Sequence, residues 1–597
     1  MLDSLKKIYH LLSKSDRYKL VGLFCLMAFT SVLEMAGLGA IPAFVYTLSD
    51  PDKVLSYPLV SDFFKALDIT TQKELMLFGV IALIILYVVK NVVIGFVHYM
   101  KAKFVNNRRV KFGVRLFRSY MHAPYTFHLE NNTSRLLRNV NGEVNLLINI
   151  MLNSLTILMD ALLIISVFIM LLYVEPMISI ISILALGLTS LLFLQLVRSK
   201  IKEYGKEQQF HRNEMIKAVN QGLGGVKDAK ILRREKYFID VFKHSADRNA
   251  YTNRYKVVAK SLPKNFIETI AVVGMLIICV LFVYQGREVA QILPTLALFG
   301  VAVARLLPAF KDMVSNFTNI RFDLYAVDPV YDDLQSLEHN YTNERNADRA
   351  NKNKRVQFEH QIHIRDLYYC YPNGDEQALN GISIDIPKGS AVAFVGPSGA
   401  GKTTIVDAIL GLLEPTGGQI LADDYDISQN IRGWQKNVGY IPQSIYLSDE
   451  SIKSNIAYGI PEEEISEEQL WQAIKAAQLK EMVESLSDGV DTVIGERGVM
   501  LSGGQQQRIG IARALYHNPE VLIMDEATSA LDNITEQFVI EAIERLRGER
   551  TIIMIAHRLS TVRNCDNIFY MEEGKVISEG TYDELLENSE SFQRMAV

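Results

Sequence analysis

The sequence predicts an α-helical transmembrane domain of six spans fused to a cytoplasmic α/β domain built around a phosphate-binding loop. Three observations predict it. Long apolar runs fill the chain up to about Phe310, short apolar strands alternate with amphipathic helices from about Arg355, and the second half holds the loop Gly396-Pro-Ser398-Gly399-Ala-Gly401-Lys402-Thr403. A chain of 597 residues is too long for one core. The composition shift divides it into a membrane domain over 1–325, a linker over 326–355 and a nucleotide-binding domain over 356–597.

The start, MLDSLKKIYHLLSKSDRYK, is charged, and Leu2, Leu5, Ile8, Leu11 and Leu12 recur at helical spacing. This predicts a helix lying on the membrane surface rather than a cleavable signal. Six apolar stretches follow, near 21–48, 75–100, 146–174, 177–197, 265–284 and 289–310, each long enough to cross a hydrocarbon core of about 30 Å. Basic residues cluster after the second span (Lys101, Lys103, Arg108, Arg109, Lys111) and after the fourth (Arg198, Lys200, Lys202, Lys206). The positive-inside rule then places both termini and both long basic segments in the cytoplasm. Those segments, about 101–145 and 198–264, are helical in pattern and are expected to continue the spans below the membrane. Each is broken once, at Ala123-Pro124-Tyr125-Thr126-Phe127 and at Gly222-Leu-Gly-Gly225. Each break is either a short transverse helix set against the nucleotide-binding domain or a solvent turn. Residues 340–355 are polar and poor in apolar side chains, as a linker would be.

A net charge of −5 gives no basic footprint for nucleic acid. The four cysteines, Cys25, Cys279, Cys370 and Cys565, are scattered and suggest neither a disulfide framework nor a zinc site.

In the second half, Val392–Val395 is a short strand leading into Gly396, and Thr404 onward continues as a helix. The glycines let backbone N–H groups approach phosphates at the positive end of that helix, where Lys402 reaches the β- and γ-phosphates and Thr403 ligates Mg²⁺. Val521-Leu-Ile-Met-Asp525-Glu526 is an apolar strand ending in two carboxylates. Asp525 suits the metal, and Glu526 suits polarisation of the attacking water. Ala527-Thr-Ser-Ala-Leu-Asp532 follows at once. His557, after the strand Thr551–Ala556, is placed to hydrogen-bond a γ-phosphate oxygen. Gln443, after Val438-Gly-Tyr-Ile-Pro442, would touch both metal and water. Tyr371 is a candidate for stacking on adenine, with a core tyrosine as the alternative. Leu501-Ser502-Gly503-Gly504-Gln505 is useful only when it faces a γ-phosphate held by a second copy of the domain.

Together these residues resemble the ATP-binding cassette superfamily, and the order of domains resembles its exporter-type half-transporters. The resemblance implies an ATPase using ATP and Mg²⁺ and working as a homodimer in a bacterial inner membrane, with Gly495-Glu496-Arg497-Gly498 as the exporter-specific loop ahead of the signature.

Six ionisable residues fall in or beside the spans: Glu34, Lys90, Asp160, Lys264, Glu268 and Arg305. Charges at membrane depth are costly, so each is a functional candidate. Lys264 and Glu268 are one turn apart and are expected to pair, and Arg305 is expected to snorkel to the cytoplasmic face. Leu12-Ser-Lys-Ser-Asp16, Val88-Val-Lys90, Leu262-Pro-Lys264 and Ala304-Arg305-Leu-Leu-Pro308 are similar to segments of the PglK-type flippases, which move polyprenyl-diphosphate-linked oligosaccharides for protein glycosylation. That resemblance implies a lipid-linked glycan as cargo and Lys90, Lys264 and Arg305 as cavity residues. Lysine stands at two places where those flippases carry arginine, which keeps the charge and loses the bidentate fork. Export of a lipid A-like lipid, a peptide or a drug, and an ATP-gated channel, are the alternatives. Pro58–Asp68 is expected to form either a short external amphipathic helix, as in those flippases, or a surface helix over the outer bundle.

Overall fold

The computed structural model describes residues 2–49, 71–284, 289–338, 354–372, 374, 376–495, 498–525, 541, 544–556 and 559–596. Pro58–Asp68, Glu496 and Arg497 lie outside them. The chain forms two compact units, one of Met1–Ala123 with Asn131–Tyr341 and one of Pro124–Glu130 with Thr342–Val597.

In the first unit α1 (Leu2–Leu11) precedes the long helices α2 (Lys14–Ser49) and α3 (Gln72–Met121). Thr71 and Glu74 start α3 with reciprocal side-chain caps. After α4 (Tyr125–Glu130), which belongs to the second unit, α5 (Thr133–Arg138) runs through a π-helical turn (Asn139–Glu143) into α6 (Val144–Val174). Then come α7 (Pro176–Gly224), the short α8 (Val226–Ile231), α9 (Glu235–Tyr284) and α10 (Val289–Asp323). A helical segment over 327–338, α11, closes the unit.

At 1.5 Å per residue the 50 residues of α3 span about 75 Å, more than twice a hydrocarbon core. The helix therefore reaches well beyond the membrane, as its basic second half requires. Among the described residues, Lys14–Leu48, Lys73–Met121 and Thr133–Val174 are long and apolar enough to cross. Leu77, Ile84, Val88 and Val92 on α3 are exposed, as a lipid-facing stripe should be, while Leu38, Phe168, Phe299, Leu306 and Phe310 pack into a common core.

Both sequence breaks are short helices. The first, α4, clusters with the nucleotide-binding residues, and the second, α8, does not. Leu223, Val226, Ile231 and Leu232 stand exposed around α8. The N-terminal helix departs from a purely surface-bound one. Ile8, Leu11 and Leu12 are buried in protein, and Lys7 pairs with Asp328 at 2.7 Å. Behind it Asp16 at the start of α2 is buried between Arg108 and Lys111 of α3.

The second unit has a four-stranded antiparallel sheet, ordered β2-β1-β4-β5, and a six-stranded sheet, ordered β10-β9-β3-β8-β7-β6. β1 is Gln361–Cys370, β2 Gln377–Pro387, β3 Ala391–Val395, β4 Gly417–Ala422 and β5 Tyr425–Asp426. In the larger sheet β6 is Val438–Ile441, β7 Val521–Asp525, β8 Thr551–Ile555, β9 Asn567–Glu572 and β10 Lys575–Gly580. Every residue of β3, β7 and β8 is buried, which explains why they read as unbroken apolar runs in a parallel sheet. One core lies around α12 (Lys402–Ile409), where Trp434 is fully buried and donates its indole N–H to Ile409 O at 2.7 Å. The other core joins the large sheet to a helical layer that includes α13 (Gly503–Leu515).

Candidate nucleotide site and a charged cluster in the spans

Gly396 follows β3 and Asp525 ends β7, so both stand at the C-terminal end of parallel strands, where open α/β sheets bind ligands. The loop needs glycine for steric reasons. Gly396 has φ 147°, and a Cβ there would sit 2.1 Å from Met571 O. Gly401 has φ 95°, and its Cβ would meet Ala378 O at 2.7 Å. Around Gly399 there is open space, which leaves the loop free to receive phosphates. Lys402 Nζ donates to Gly396 O and Pro397 O, each at 2.8 Å, so its ammonium already lies along the loop at the head of α12. The side chains of Ser398 and Thr403 are exposed, while Thr404 is buried.

Tyr371 is half-buried. Its hydroxyl lies 3.2 Å from Thr404 Oγ1 and its ring meets Tyr369 edge-on at 5.0 Å, which sets the aromatic beside the start of α12. Asp525 is buried and Gln443 is exposed. These two and the Thr403 hydroxyl offer hard oxygen donors of the type that would suit Mg²⁺. Glu526, Asp532 and His557 lie outside the described residues.

Ser502 caps α13. Its hydroxyl accepts from Gln505 N at 3.3 Å, and Ser502 N donates to Gln505 Oε1 at 2.9 Å. Gly503 is exposed with nothing near its Cβ position, so the positive end of a 13-residue helix is open to an anion. α13 packs in the core of the helical layer and α12 in the other core. The two candidate phosphate-binding helix ends of one chain are thus built into different layers.

Sequence reading missed Asp407. This carboxylate on α12 is buried, and burial, with the Asp525 charge adding to it, pushes its pKa up to about 6. Burial and the same carboxylates also raise Tyr440, and burial followed by Asp407 raises Tyr125 of α4. An acidic residue inside the apolar run Ile405-Val-Asp-Ala-Ile-Leu410 was the available signal. The folded state binds a proton at Asp407 more tightly than the unfolded chain does. Its charged form therefore lowers stability as pH rises from about 4 to about 6 and above. Asp407→Asn is expected to stabilise the magnesium-free protein by about 3 kcal/mol at pH 8, with the gain vanishing below about pH 4. Denaturation midpoints at the two pH values check this, and an equal shift at both would refute it.

In the spans, Lys90 and Arg305 are not free cavity charges. Lys90 is 1% exposed, and its Nζ lies 3.0 Å from Glu34 Oε2 and 4.2 Å from the Tyr87 ring centroid. Arg305 holds the same carboxylate through Nε, at 3.1 Å, and through Nη2. It pairs with α2 instead of snorkelling. Lys264 is exposed on α9, and among the described residues no ion pair joins it to Glu268.

The chain matches the family model of the ABC transporter transmembrane region over residues 23–306 and that of the ABC transporter over 379–529. It is 31% identical over 491 residues to the ATP-dependent lipid A-core flippase of Cupriavidus pinatubonensis, covering 82% of each chain. It is 29% identical over 476 residues to the protein of the same name in Escherichia coli strain K12, covering 79% of this chain and 80% of that one. Among solved structures, a bacterial Atm1-family ABC exporter with ATP bound shares the fold with a TM-score of 0.75 at 22% identity, over 97% of this chain and 98% of that one. These relatives carry the exporter architecture and the lipid A-core name; the narrower likeness to PglK-type flippases rests on the short segments alone.

Proposed function

The chain belongs to the ABC transporter family as an exporter-type half-transporter, an ATP-driven translocase, and from that premise we propose that it works as a homodimer moving an anionic, lipid A-like lipid across the bacterial inner membrane. The observation that carries the cargo is the charged cluster of the spans. Glu34 offsets one of two cations, Lys90 and Arg305, so one positive charge remains at membrane depth, and the Arg305 side chain is 41% exposed. A net cation at that depth, partly exposed at Arg305, favours an anionic head group. The name carried by the relatives favours a lipid A-like one over a polyprenyl-diphosphate-linked oligosaccharide. ATPase activity in liposomes should rise on adding lipid A and respond less to the oligosaccharide lipid. The reverse order would transfer the cargo to the glycan class.

In this reading ATP lies between Lys402 of one protomer and the Ser502-Gly503-Gly504 helix end of its partner, with Mg²⁺ on Thr403, Asp525 and Gln443. The metal neutralises phosphate charge; the protein's own groups position the γ-phosphate and the water. The exposed apolar residues around α8 support a second protomer, because a soluble tip of this kind needs a partner surface.

Shared sites have a direct consequence. Mixing Lys402→Ala chains with Ser502→Arg chains should produce heterodimers in which one site carries both lesions and the other neither. Hydrolysis should then exceed the sum of the two inactive parents. Heterodimers that form and stay inactive would count against composite sites that fire independently.

A further inference from the structure

The second unit is joined to the first by three crossings of the chain, at Ala123/Pro124, Glu130/Asn131 and Tyr341/Thr342. Residues close to all three meet at one carboxylate. Asp333, on the helix over 327–338, accepts from Tyr120 Oη at 2.6 Å, from Arg135 Nη2 at 2.9 Å and from Asn139 Nδ2 at 2.9 Å. Asn139 Nδ2 also donates to Tyr120 Oη at 3.1 Å. Tyr120 comes just before the first crossing, Arg135 just after the second, and Asp333 shortly before the third. Asp333 is 5% exposed, Tyr120 4% and Asn139 0%, so these three are held out of water, while the Arg135 side chain reaches the carboxylate from a site that is 42% exposed.

Its chemistry is that of a fastening. Three donors converge on one buried carboxylate, and charge-assisted bonds in such a place are strong while a missing partner is costly. Burial and the neighbouring Asp333 raise the Tyr120 pKa, which keeps the phenol a donor at any physiological pH. The same helix is held along its length, by Lys7 on Asp328 and by the guanidinium of Arg115 on both oxygens of Glu338. Asn139 opens the π-helical turn, an irregularity that often marks a functional position, and its Oδ1 has no hydrogen-bond partner among the described residues.

We propose that Asp333 is a positioning residue for coupled transport. It locks the helix that leads from the sixth span toward the nucleotide-binding domain to the loop that carries α4, so that nucleotide-driven movement reaches α3, α6 and α10 as one motion. A flexible tether at 327–338 would let the two attachments move separately. The network makes them one.

The proposal rests on the ATP-driven reading above, and its test separates the two. Full-length protein in nanodiscs is trapped with ATP, Mg²⁺ and vanadate, and hydrogen exchange is followed in 131–143 and 327–338. In the parent both segments change on trapping. In Asp333→Asn and Tyr120→Phe the response of 131–143 should persist, while that of 327–338 is lost and its basal exchange rises about tenfold. The KM for ATP should stay unchanged, because no nucleotide-binding residue is touched. If 327–338 responds in both variants as in the parent, Asp333 is merely structural and the proposal is wrong. Should Asp333→Asn fail to assemble, Tyr120→Phe, which removes a single hydroxyl, decides alone. A parent that traps no nucleotide would overturn the ATP-driven reading and this proposal with it.

Discussion

Glu526→Gln is expected to bind ATP, hold two cassettes closed around it and hydrolyse at least about 100-fold more slowly than the parent, since loss of a positioned base typically costs that much or more. The placement follows from β7. Val521–Asp525 is a fully buried parallel strand between β6 and β8, and Asp525 is in register with Ile555 at the end of β8. Asp525 thus ends β7 at the same end of the sheet at which Gly396 follows β3, and Glu526 is the next residue in the sequence. Glutamine keeps the size and hydrogen-bonding reach of glutamate but cannot take up a proton, so the γ-phosphate contacts of Lys402 survive while water activation does not. Phosphate release and retention of labelled ATP after gel filtration check both halves. Hydrolysis near the parental rate would remove Glu526 from the base role, and slow hydrolysis without ATP retention would point to a damaged binding site.

The phosphate loop was legible because it is local. Strand, glycine turn and helix lie within Ala391–Ile409, and each glycine is needed for a reason confined to that stretch or its immediate sheet neighbour. The fully buried strands were legible because a parallel sheet covered on both faces must read as continuous apolar sequence. The long spans were legible from length and composition alone. What escaped was pairing between distant segments. Glu34 and Lys90 are 56 positions apart, Glu34 and Arg305 are 271 apart, and no periodicity links them. Three charges, read separately in the sequence, form one ion-paired group with a single positive charge in excess. Asp333 drew no notice because acidic residues are common next to a polar linker, and only tertiary structure shows that it is buried. The sequence allowed a helix set against the nucleotide-binding domain at both breaks, and only tertiary structure assigns Pro124–Glu130, and not the second break, to that unit.

Lys90→Met is expected to destabilise the transporter by about 3 kcal/mol, because it strips Glu34 of its better-buried partner and leaves a carboxylate only partly compensated inside the spans. The side chains of Lys90 and Glu34 are 2% and 5% exposed, so solvent cannot replace the lost charge. Glu34→Gln combined with Lys90→Gln removes both members and should recover most of the stability, which separates a broken pair from a lost packing group. Lys90→Arg is not a harmless way to restore a bidentate cation. A Cβ on Gly37 would already lie 3.1 Å from Lys90 Cδ and 3.3 Å from its Nζ, and Tyr87 covers the ammonium, so the larger guanidinium would have to displace its neighbours. Arg305→Gln differs in kind. Its side chain is 41% exposed, so the change should cost less stability while removing the cation best placed to meet a cargo phosphate. Thermal midpoints and lipid A flipping in proteoliposomes, measured on the same four variants, read the two roles apart. The expected pattern is lost stability for Lys90→Met, recovery in the double variant, and for Arg305→Gln a fall in flipping greater than the fall in ATP hydrolysis. Unchanged flipping in Arg305→Gln would make the whole cluster a structural device and leave the anionic cargo without its support in the spans.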